Sequence, residues 1–362
     1  MGKSQVIPFG PQHPVLPEPI HLDLVVEDEK VVEAIPQIGF IHRGLEKLVE
    51  TRDYNQFVYV AERVCGICSL GHSLGYSQAI DELLGVEVPK RGQYLRIIWH
   101  ELSRIHSHIL WLGLLADAFG FESLFMHCWR IREKVLDMFE RTTGGRVIFS
   151  VVVPGGVTRD IDHDTLVAMQ NMLSELRDEY MKLVPAFLND SSVKNRTVGV
   201  GYISKEDAER LSMVGPFGRA SGFNYDVRSF GMGAYGDLSE FEPMVDTQGD
   251  CYARIKVRCA EVLQSIDIIN ELIEKIPEGE INVKVNGTPE KGAQASSIIE
   301  QPRGEAFYYV KSNGTKFLDR FRLRTPTSQN LAGMLSCLKG CDLADVNMMI
   351  LTIDPCISCT ER

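Results

Sequence analysis

The amino-acid sequence predicts a mainly α-helical fold with small β elements. Apolar residues recur every three or four positions over residues 90–118, which is the pattern of a helix with one buried face. Over residues 20–26, apolar and polar residues alternate, as in a half-buried strand, and a charged turn leads into a second such run. Asn313-Gly314 lies between two further alternating runs and predicts another hairpin. We therefore expect an α+β chain with hairpins attached to a helical centre.

The order of these patterns predicts one domain, residues 1–362, with four consecutive parts. A chain of this length can bury a large core without a metal or disulfide staple. The parts are a β-rich entry segment (1–43), a helical core (44–195), a loop-rich insertion (196–247), and a final part with helices, a hairpin and a cysteine tail (248–362). Further long helices are expected at about 163–190, 249–275 and 328–345.

Composition and charge exclude several classes of protein. The chain is 44% hydrophobic and 24% charged with a formal net charge of -11, which argues against a nucleic acid or an anionic membrane surface as its direct partner. No apolar run reaches the roughly 18 residues of a transmembrane helix, and the first residues lack the apolar segment of a signal peptide. We therefore expect a cytoplasmic protein whose nine cysteines are thiols rather than disulfides.

Two C-x-x-C pairs, Cys65 with Cys68 and Cys356 with Cys359, are the strongest chemical signal. Each pair puts two sulfurs on one side of a turn, so two facing pairs form a four-thiolate site for a soft metal. A structural zinc site is the simplest alternative, but such sites usually separate their pairs by about 15 to 20 residues. The other cysteines are expected to be buried structural thiols: Cys128, Cys251, Cys259, Cys337 and Cys341.

The residues before the second pair predict the start of a helix. Asp354 is a suitable N-cap and Pro355 a suitable first helical residue. Cys356 and Cys359 then lie in the first helical turn, where the positive end of the helix dipole favours thiolates.

These residues resemble a known family. Arg63-Val-Cys65-Gly-Ile-Cys68-Ser-Leu-Gly-His72 and Asp354-Pro355-Cys356-Ile-Ser-Cys359 resemble the two signature motifs of the large, catalytic subunit of nickel-iron hydrogenases. The segments GPQHPVLPEPIHLDL, HRGLEKLVETRDY, GPFGRASGFNYDVR and RLRTPT resemble its energy-converting, membrane-associated class, the Ech and CO-induced hydrogenases. They also resemble the quinone-site subunit of complex I, a relative without the cysteines. The resemblance extends over essentially the whole chain and implies a central helical bundle with one hairpin in each half.

The resemblance implies a role for each of the four cysteines. Cys65 and Cys356 correspond to terminal nickel ligands, and Cys68 and Cys359 to thiolates that bridge nickel and iron. Carbon monoxide and cyanide complete the iron coordination in that family. Thiolates suit nickel because they are soft, electron-rich ligands.

Two carboxylates correspond to functional acids of the family. Glu18 matches the glutamate that passes protons from the terminal cysteine, here Cys356, although an exposed loop acid is the alternative. Glu46 matches the acid that holds a magnesium or iron ion near the C-terminus, with a surface helix acid as the alternative. Arg362 stands where relatives have histidine, and it could bind such an ion only through its backbone or carboxylate.

Several other residues are placed beside the centre by the same resemblance. His72 is expected to donate a hydrogen bond to a bridging sulfur. Asp354, Pro326 and Thr327 are expected to surround the centre. Arg324-Thr325-Pro326-Thr327 is aligned with the A-P-R-G motif of uptake enzymes, so Arg324 is the candidate for the guanidinium over the metals, with a surface or interface arginine as the alternative. His106 and His108 are expected to be core residues.

The resemblance implies an enzyme that interconverts H2 with protons and electrons. The implied partners are a small subunit with a 4Fe-4S cluster, a ferredoxin-like iron-sulfur subunit and integral membrane ion-translocating subunits, with the chain peripheral on the cytoplasmic face. Its cysteines supply no iron-sulfur cluster of its own. Arg362 is either an encoded end or one left by a maturation protease. The alternatives are a zinc-stabilised structural subunit and a quinone-binding oxidoreductase subunit, in which His13 would be a site residue.

Overall fold

A bundle of long helices forms the centre of the protein. The structure is a computed structural model that describes residues 4–14, 16 and 18–362; Val15 and Pro17 of the predicted entry segment lie outside the described residues. The helices of the first half are α1 (Tyr54–Glu62), α2 (Ser69–Leu84), α3 (Lys90–Ala118), α4 (Glu122–Thr143), α5 (His163–Leu188) and α6 (Ser191–Thr197). Those of the second half are α7 (Lys205–Arg210), α8 (Gly215–Arg219), α9 (Cys251–Lys275), α10 (Pro326–Leu338), α11 (Val346–Ile353) and α12 (Ile357–Glu361).

Helix α3 lies in the middle of the bundle. It packs against α4 and α9, and α5 packs against the same two helices. Because neighbours surround α3, its polar residues are buried with its apolar ones, among them Glu101 and Arg104. Burial without water requires such groups to pair with one another. Arg104 pairs with Glu261 on α9, which also pairs with Arg219 on α8.

The strands form two three-stranded sheets and a short pair. They are β1 (Gln5–Phe9), β2 (His21–Glu27), β3 (Lys30–Gln37), β4 (Val152–Val153), β5 (Gly156–Val157), β6 (Gln294–Gln301), β7 (Gly304–Ser312) and β8 (Leu318–Arg324). Both predicted hairpins are present, as β2 with β3 and β7 with β8. Strands β1 and β6 extend them and were not predicted. The partner residues Gln301 and Gly304 make the connection from β6 to β7 a tight turn at Pro302 and Arg303.

Helix α2 lies against β6 and β7 at close range. A Cβ atom on Gly75 would lie 2.1 Å from the ring of Tyr308, so only glycine permits this approach. The approach places Tyr308 beside His72, one helical turn earlier on α2, with the Tyr308 hydroxyl 3.0 Å from His72 Nδ1. Gly75 therefore allows Tyr308 to lie beside His72 and bond to its ring.

The C-terminal part differs from the prediction in two places. Helix α10 ends at Leu338, and α11 is a separate helix after it. Asp354 does not cap the last helix; it ends α11 with a φ of 63°. Pro355 has no N–H to continue α11, so the chain turns at these two residues and α12 starts at Ile357 with Cys356 as its N-cap.

The predicted insertion 196–247 contains only short helical segments, α7 and α8 among them. None of the helices that the structure describes is long and apolar enough to cross a membrane.

Candidate metal centre

The structure brings the two C-x-x-C pairs together in the protein interior. The sulfurs of Cys65 and Cys356 are 3.5 Å apart, and those of Cys68 and Cys359 are 3.4 Å apart. All four sulfurs lie within 4.8 Å of one another, and each cysteine is at most 3% exposed. Among the residues that the structure describes, this is the one group of three or more such side chains positioned to hold a metal ion.

Helix starts position these cysteines. Cys68 is the N-cap of α2, and Cys356 is the N-cap of α12, where its sulfur accepts a hydrogen bond from the N–H of Cys359 at 3.4 Å. The sulfur of Cys65 accepts from the N–H of Ile67 at 3.3 Å. The prediction that the second pair lies at a helix start is therefore confirmed, although with Cys356 rather than Asp354 as the cap. Backbone N–H groups at such positions favour negatively charged sulfur.

The four thiols cannot all ionise without a nearby cation. The pKa of Cys68 lies well below that of an ordinary thiol because Cys356, Cys359 and Cys65 can donate hydrogen bonds to its sulfur. The pKa of Cys359 lies well above it because burial disfavours the charge and the neighbouring sulfurs interact with the protonated form. Four thiolates at this spacing require the positive charge of a metal.

His72 lies against the sulfurs of Cys68 and Cys359. Its Nε2 atom is 3.5 Å from the sulfur of Cys68 and 3.3 Å from that of Cys359. On the other side of the ring, Nδ1 lies within hydrogen-bonding distance of the Tyr308 hydroxyl and the Gln301 amide. The ring is thus held by two neutral groups, which leaves Nε2 to face the cysteines. The predicted neighbourhood of His72 is present.

Arg303 was missed by the sequence analysis. Its Nη2 donates to the carboxylate of Asp354 at 2.8 Å, and its Nε donates to the Asp354 carbonyl at 2.9 Å. Within the described part of the chain, Nη1 is buried without a hydrogen-bond partner. Burial alone lowers the pKa of Arg303, but Asp354 and the sulfurs of Cys356, Cys68 and Cys65 raise it well above its usual value. A guanidinium with a free N–H therefore lies beside the sulfurs.

Glu18 and Thr327 hold the loop that carries Cys356. One carboxylate oxygen of Glu18 accepts the N–H groups of Ile357 and Ser358, the latter at 3.0 Å, and the other accepts the Ser358 hydroxyl. The Thr327 hydroxyl accepts the N–H of Cys356 at 2.9 Å. Glu18 is only partly buried, so its carboxylate lies between the cysteine loop and the protein surface.

Comparison with known proteins gives the family. The profile "Respiratory-chain NADH dehydrogenase, 49 Kd subunit" matches residues 118–298 and 285–362, and the profile "Nickel-dependent hydrogenase" matches residues 43–117. The carbon monoxide-induced hydrogenase of Rhodospirillum rubrum is 37% identical over 99% of this chain and 99% of its own length. The chain belongs to the energy-converting hydrogenase large subunits, relatives of the 49-kDa subunit of complex I.

Two further matches support the same family. Membrane-bound hydrogenase subunit alpha of Pyrococcus furiosus is 37% identical over 98% of this chain and 87% of its own length. A chain of the membrane-bound sulfane sulfur reductase, an archaeal respiratory membrane complex, superposes with a TM-score of 0.94 at 30% identity, covering 99% of this chain and 98% of its own. The predicted fold class is therefore confirmed. These relatives are oxidoreductase subunits of membrane complexes.

Arg324 does not lie at the cysteines of this energy-converting hydrogenase subunit. Its side chain is 51% exposed and pairs with Glu305 on the neighbouring strand. Gln301-Pro302-Arg303-Gly304 matches the A-P-R-G motif in its last three residues, and its arginine interacts with three of the cysteine sulfurs. The intact P-R-G triplet was the available signal for Arg303. Pro326 is the first residue of α10, which presents Thr327 to Cys356.

The expected second metal near the C-terminus does not fit the residues present. Glu46 Oε1 accepts from the Leu323 N–H and from Arg362 Nε, both at 2.9 Å, and Oε2 accepts from Arg322 Nη1 at 2.6 Å. Burial alone raises the pKa of Glu46, but the Leu323 N–H and the Arg362 charge lower it overall. Both oxygens of this carboxylate already accept hydrogen bonds, two of them from guanidinium groups, and a divalent cation would lie beside these positive charges. The Arg362 side chain binds the carboxylate that was expected to hold the metal.

The remaining predicted residues lie in the core or away from the cysteines. His106 and His108 are buried as expected, and burial lowers the pKa of His106 to about 3 and that of His108 to about 4. The His13 ring stacks on Phe9 with the centroids 4.3 Å apart. The five other cysteines are free thiols; four are buried and Cys341 is partly buried.

Proposed function

We propose that this chain is the catalytic subunit of a nickel-iron hydrogenase that interconverts H2 with protons and electrons. The observation that supports the proposal is the group of four buried cysteine sulfurs within 4.8 Å of one another. In this proposal Cys65 and Cys356 would hold nickel, and Cys68 and Cys359 would hold both nickel and iron. Family membership alone does not decide the activity, because relatives include complex I subunits and a sulfane sulfur reductase complex.

The surroundings of the sulfurs fit a catalytic centre better than a structural zinc. A structural zinc site is closed by its four ligands and needs no further polar group. Here the Arg303 guanidinium interacts with three of the sulfurs and has a buried N–H without a partner among the described residues, and His72 faces two of the sulfurs. A buried guanidinium N–H suits an anionic ligand such as cyanide on iron, since a charged donor without an acceptor is costly. The residues present therefore fit a nickel-iron group.

Each side chain has a definable task in this reaction. When bound, the nickel-iron group with carbon monoxide and cyanide on its iron supplies the site at which H2 is split or formed. The sulfur of Cys356 holds the proton, and Glu18, beside the Cys356 loop, accepts it and passes it towards solvent. Arg303 supplies fixed positive charge, and Asp354 orients it. Burial of all four cysteines excludes bulk water from the sulfurs.

Electrons leave through partner subunits in this proposal. The four cysteines of the centre are used, and among the described residues the other five form no group positioned to hold an iron-sulfur cluster. We propose a small subunit with a 4Fe-4S cluster, a ferredoxin-like subunit and ion-translocating membrane subunits, with this chain peripheral on the cytoplasmic face. Membership of a membrane complex is supported by the relatives.

The deciding experiment is elemental analysis of the purified complex combined with infrared spectroscopy. Nickel is expected, with iron in excess of nickel because the partner clusters add iron, together with stretching bands of metal-bound carbon monoxide and cyanide. Zinc in place of nickel, without those bands, would identify the structural alternative. A complex without metal at this site that reduces a quinone would identify the complex I-like alternative, with His13 as the residue to test.

A further inference from the structure

A network of buried charges fills the middle of the bundle, away from the cysteines. Its carboxylates are Glu101, Asp226, Glu261 and Glu300, and its guanidinium groups are Arg104, Arg219 and Arg228. All seven side chains are at most 2% exposed. Ion pairs link all of them into one group through α3, α8, α9, β6 and the segment before Phe230. The hydrogenase chemistry proposed above uses none of these residues.

The seven linked side chains are four carboxylates and three guanidinium groups, and the two adjoining histidines add no charge because burial lowers the pKa of His100 and of His108 to about 4. Arg258, a buried arginine on α9, also interacts with Glu261, so the charge of that carboxylate is compensated. An uncompensated charge in the protein interior is costly, and a buried acid usually takes up a proton instead. The carboxylate with the least compensation is therefore the one expected to hold a proton.

Glu300 is the carboxylate with the weakest compensation. Arg219 donates to its Oε1 at 2.8 Å, but its Oε2 accepts only the backbone N–H of Val227 at 3.2 Å. Glu261, in contrast, pairs with Arg219 through one oxygen and with Arg104 through the other. Burial and, after it, the negative charge of Asp226 raise the pKa of Glu300 to about 7, while Arg219 and Arg104 oppose that rise.

The ionisable groups around Glu300 come from α3, α8, the segment before Phe230 and β7, whereas α2 contributes the uncharged Gln78 to the cavity beside it. They are His100 and Arg104 on α3, Arg219 on α8, Tyr225 and Asp226 before Phe230, and Glu305, opposite Glu300 on β7. Glu305 is itself paired with Arg324 and with the Tyr225 hydroxyl. Its charge is therefore compensated locally, and the acid that remains to take up a proton is Glu300.

A crevice leads from the surface to this part of the network. The outer cavity, about 300 Å³, is lined by Gln78, Asp81 and Glu82 among others. It shares Leu74, Gln78 and Ile97 with a small inner cavity of about 10 Å³ that is also lined by His100 and Glu300. The inner cavity is about the size of one water molecule.

Two polar atoms at the inner cavity lack a hydrogen-bond partner within the described residues. They are Gln78 Oε1 and His100 Nδ1, and both are buried. The other ring nitrogen of His100, Nε2, lies 2.9 Å from the Glu300 carbonyl oxygen. Buried atoms of this kind are normally satisfied by an ordered water. A water in the inner cavity, which both side chains line, would connect the outer crevice with the surroundings of Glu300.

We propose that Glu300 is a proton-binding site, and that it exchanges its proton with solvent through the crevice past Gln78 and His100. In the step itself, one proton from bulk solvent passes along the crevice to the Glu300 carboxylate, which becomes a neutral acid, and no electron moves. The proposal goes beyond the hydrogenase function, and it does not depend on it, because neither the network nor the crevice contains a cysteine of the metal centre.

The first test is infrared titration of the purified complex between acid and alkaline pH. We expect a carboxylic-acid C=O stretching band that is lost with a midpoint near pH 7. Glu300→Gln should remove the band, and Glu290→Gln, an exposed acid before the same strand, should leave it unchanged. A band that persists in Glu300→Gln, or the absence of any such band in the wild type, would overturn the proposal. If Glu300→Gln does not fold, Glu300→Asp should displace the band, and an unchanged band contradicts the assignment.

The second test addresses the route. After transfer to heavy water, the band should shift rapidly in the wild type, and Gln78→Leu should slow that shift by about tenfold or more, because an apolar side chain removes the partner of the bridging water. Gln93→Leu is the matched control, since Gln93 lines only the outer cavity. Equal exchange rates in Gln78→Leu and the wild type would show that the proton takes another path.

Discussion

Arg303 and Asp354 form a two-point contact at the edge of the cysteine group. Nη2 of the arginine donates to the Asp354 carboxylate at 2.8 Å, and Nε donates to the carbonyl of the same residue at 2.9 Å. Two bonds to one residue fix the plane of the guanidinium and leave Nη1 directed away from Asp354. The left-handed backbone of Asp354, with a φ of 63°, presents both acceptors to Arg303. Strained non-glycine residues of this kind often occur at functional sites.

Replacing Arg303 by lysine should lower hydrogen turnover by about 100-fold while nickel is retained. Lysine keeps the charge but cannot form the two-point contact and still direct a donor to the centre. Arg324→Lys is the matched control, because Arg324 is half exposed and pairs with Glu305 on the same sheet. Turnover and nickel content should be measured on the same preparations. Loss of nickel in Arg303→Lys would indicate a purely structural role.

Replacing Cys359 by serine should abolish hydrogen turnover and nickel retention together. Serine is a hard, weakly acidic ligand and cannot replace a thiolate that is shared between two soft metals. The control is Cys259→Ser, a buried thiol on α9 that lies outside the four-sulfur group. Substantial activity in Cys359→Ser would contradict the assigned ligands.

Replacing Glu18 by glutamine should lower turnover by roughly 100-fold or more, the usual contribution of a general acid or base, with the metals retained. The amide can still accept the N–H groups of Ile357 and Ser358 but cannot take up a proton. Glu27→Gln, an exposed acid on β2, serves as the control. If nickel is lost along with activity, Glu18 holds the Cys356 loop and the proton leaves by another route.

The sequence predicted the long helices, both hairpins and the meeting of the cysteine pairs, because each depends on a local pattern or a specific motif. Helix α3 was predicted at residues 90–118 and is found at Lys90–Ala118. Strand β6 was not predicted, since its last four residues are mostly buried and show little alternation. The cap at Asp354 was wrong because a local preference gave way to the tertiary contact with Arg303.

The parts of the site that could not be predicted depend on distant contacts. Arg303 lies in a P-R-G triplet, and Arg324 begins the R-T-P-T segment. The fold shows which of the two arginines reaches the cysteines. The buried network around Glu300 has no local signature either, because its members lie on different elements between residues 101 and 300. Pairing across such distances is set by the packing of the bundle rather than by spacing along the chain.

The pH dependence of stability should show a contribution from Glu46 on the acid side. Its pKa in the folded protein is lowered relative to the unfolded chain, chiefly by the Leu323 N–H and the Arg362 charge acting against burial. Stability from this group is therefore fully present above the unfolded value, about 4.5, and is lost as the pH falls through the folded value. Glu46→Gln should lose stability at neutral pH but show a flatter acid limb in unfolding titrations. Parallel curves for the variant and the wild type would contradict this role.

Replacing Arg362 by alanine should test whether a guanidinium or a metal neutralises Glu46. Removal of the Arg362 contact, which is partly buried at both ends, should lower the free energy of unfolding by about 1 kcal/mol.

Magnesium should leave the thermal midpoint of the wild type unchanged, because Arg322 and Arg362 already neutralise the carboxylate. In Arg362→Ala the same ion should raise the midpoint, since one cationic position is vacated. The control is Arg320→Ala, which changes an exposed arginine on β8, the strand that carries Arg322. Stabilisation of the wild type by magnesium, abolished by Glu46→Gln, would show that a metal occupies the site after all.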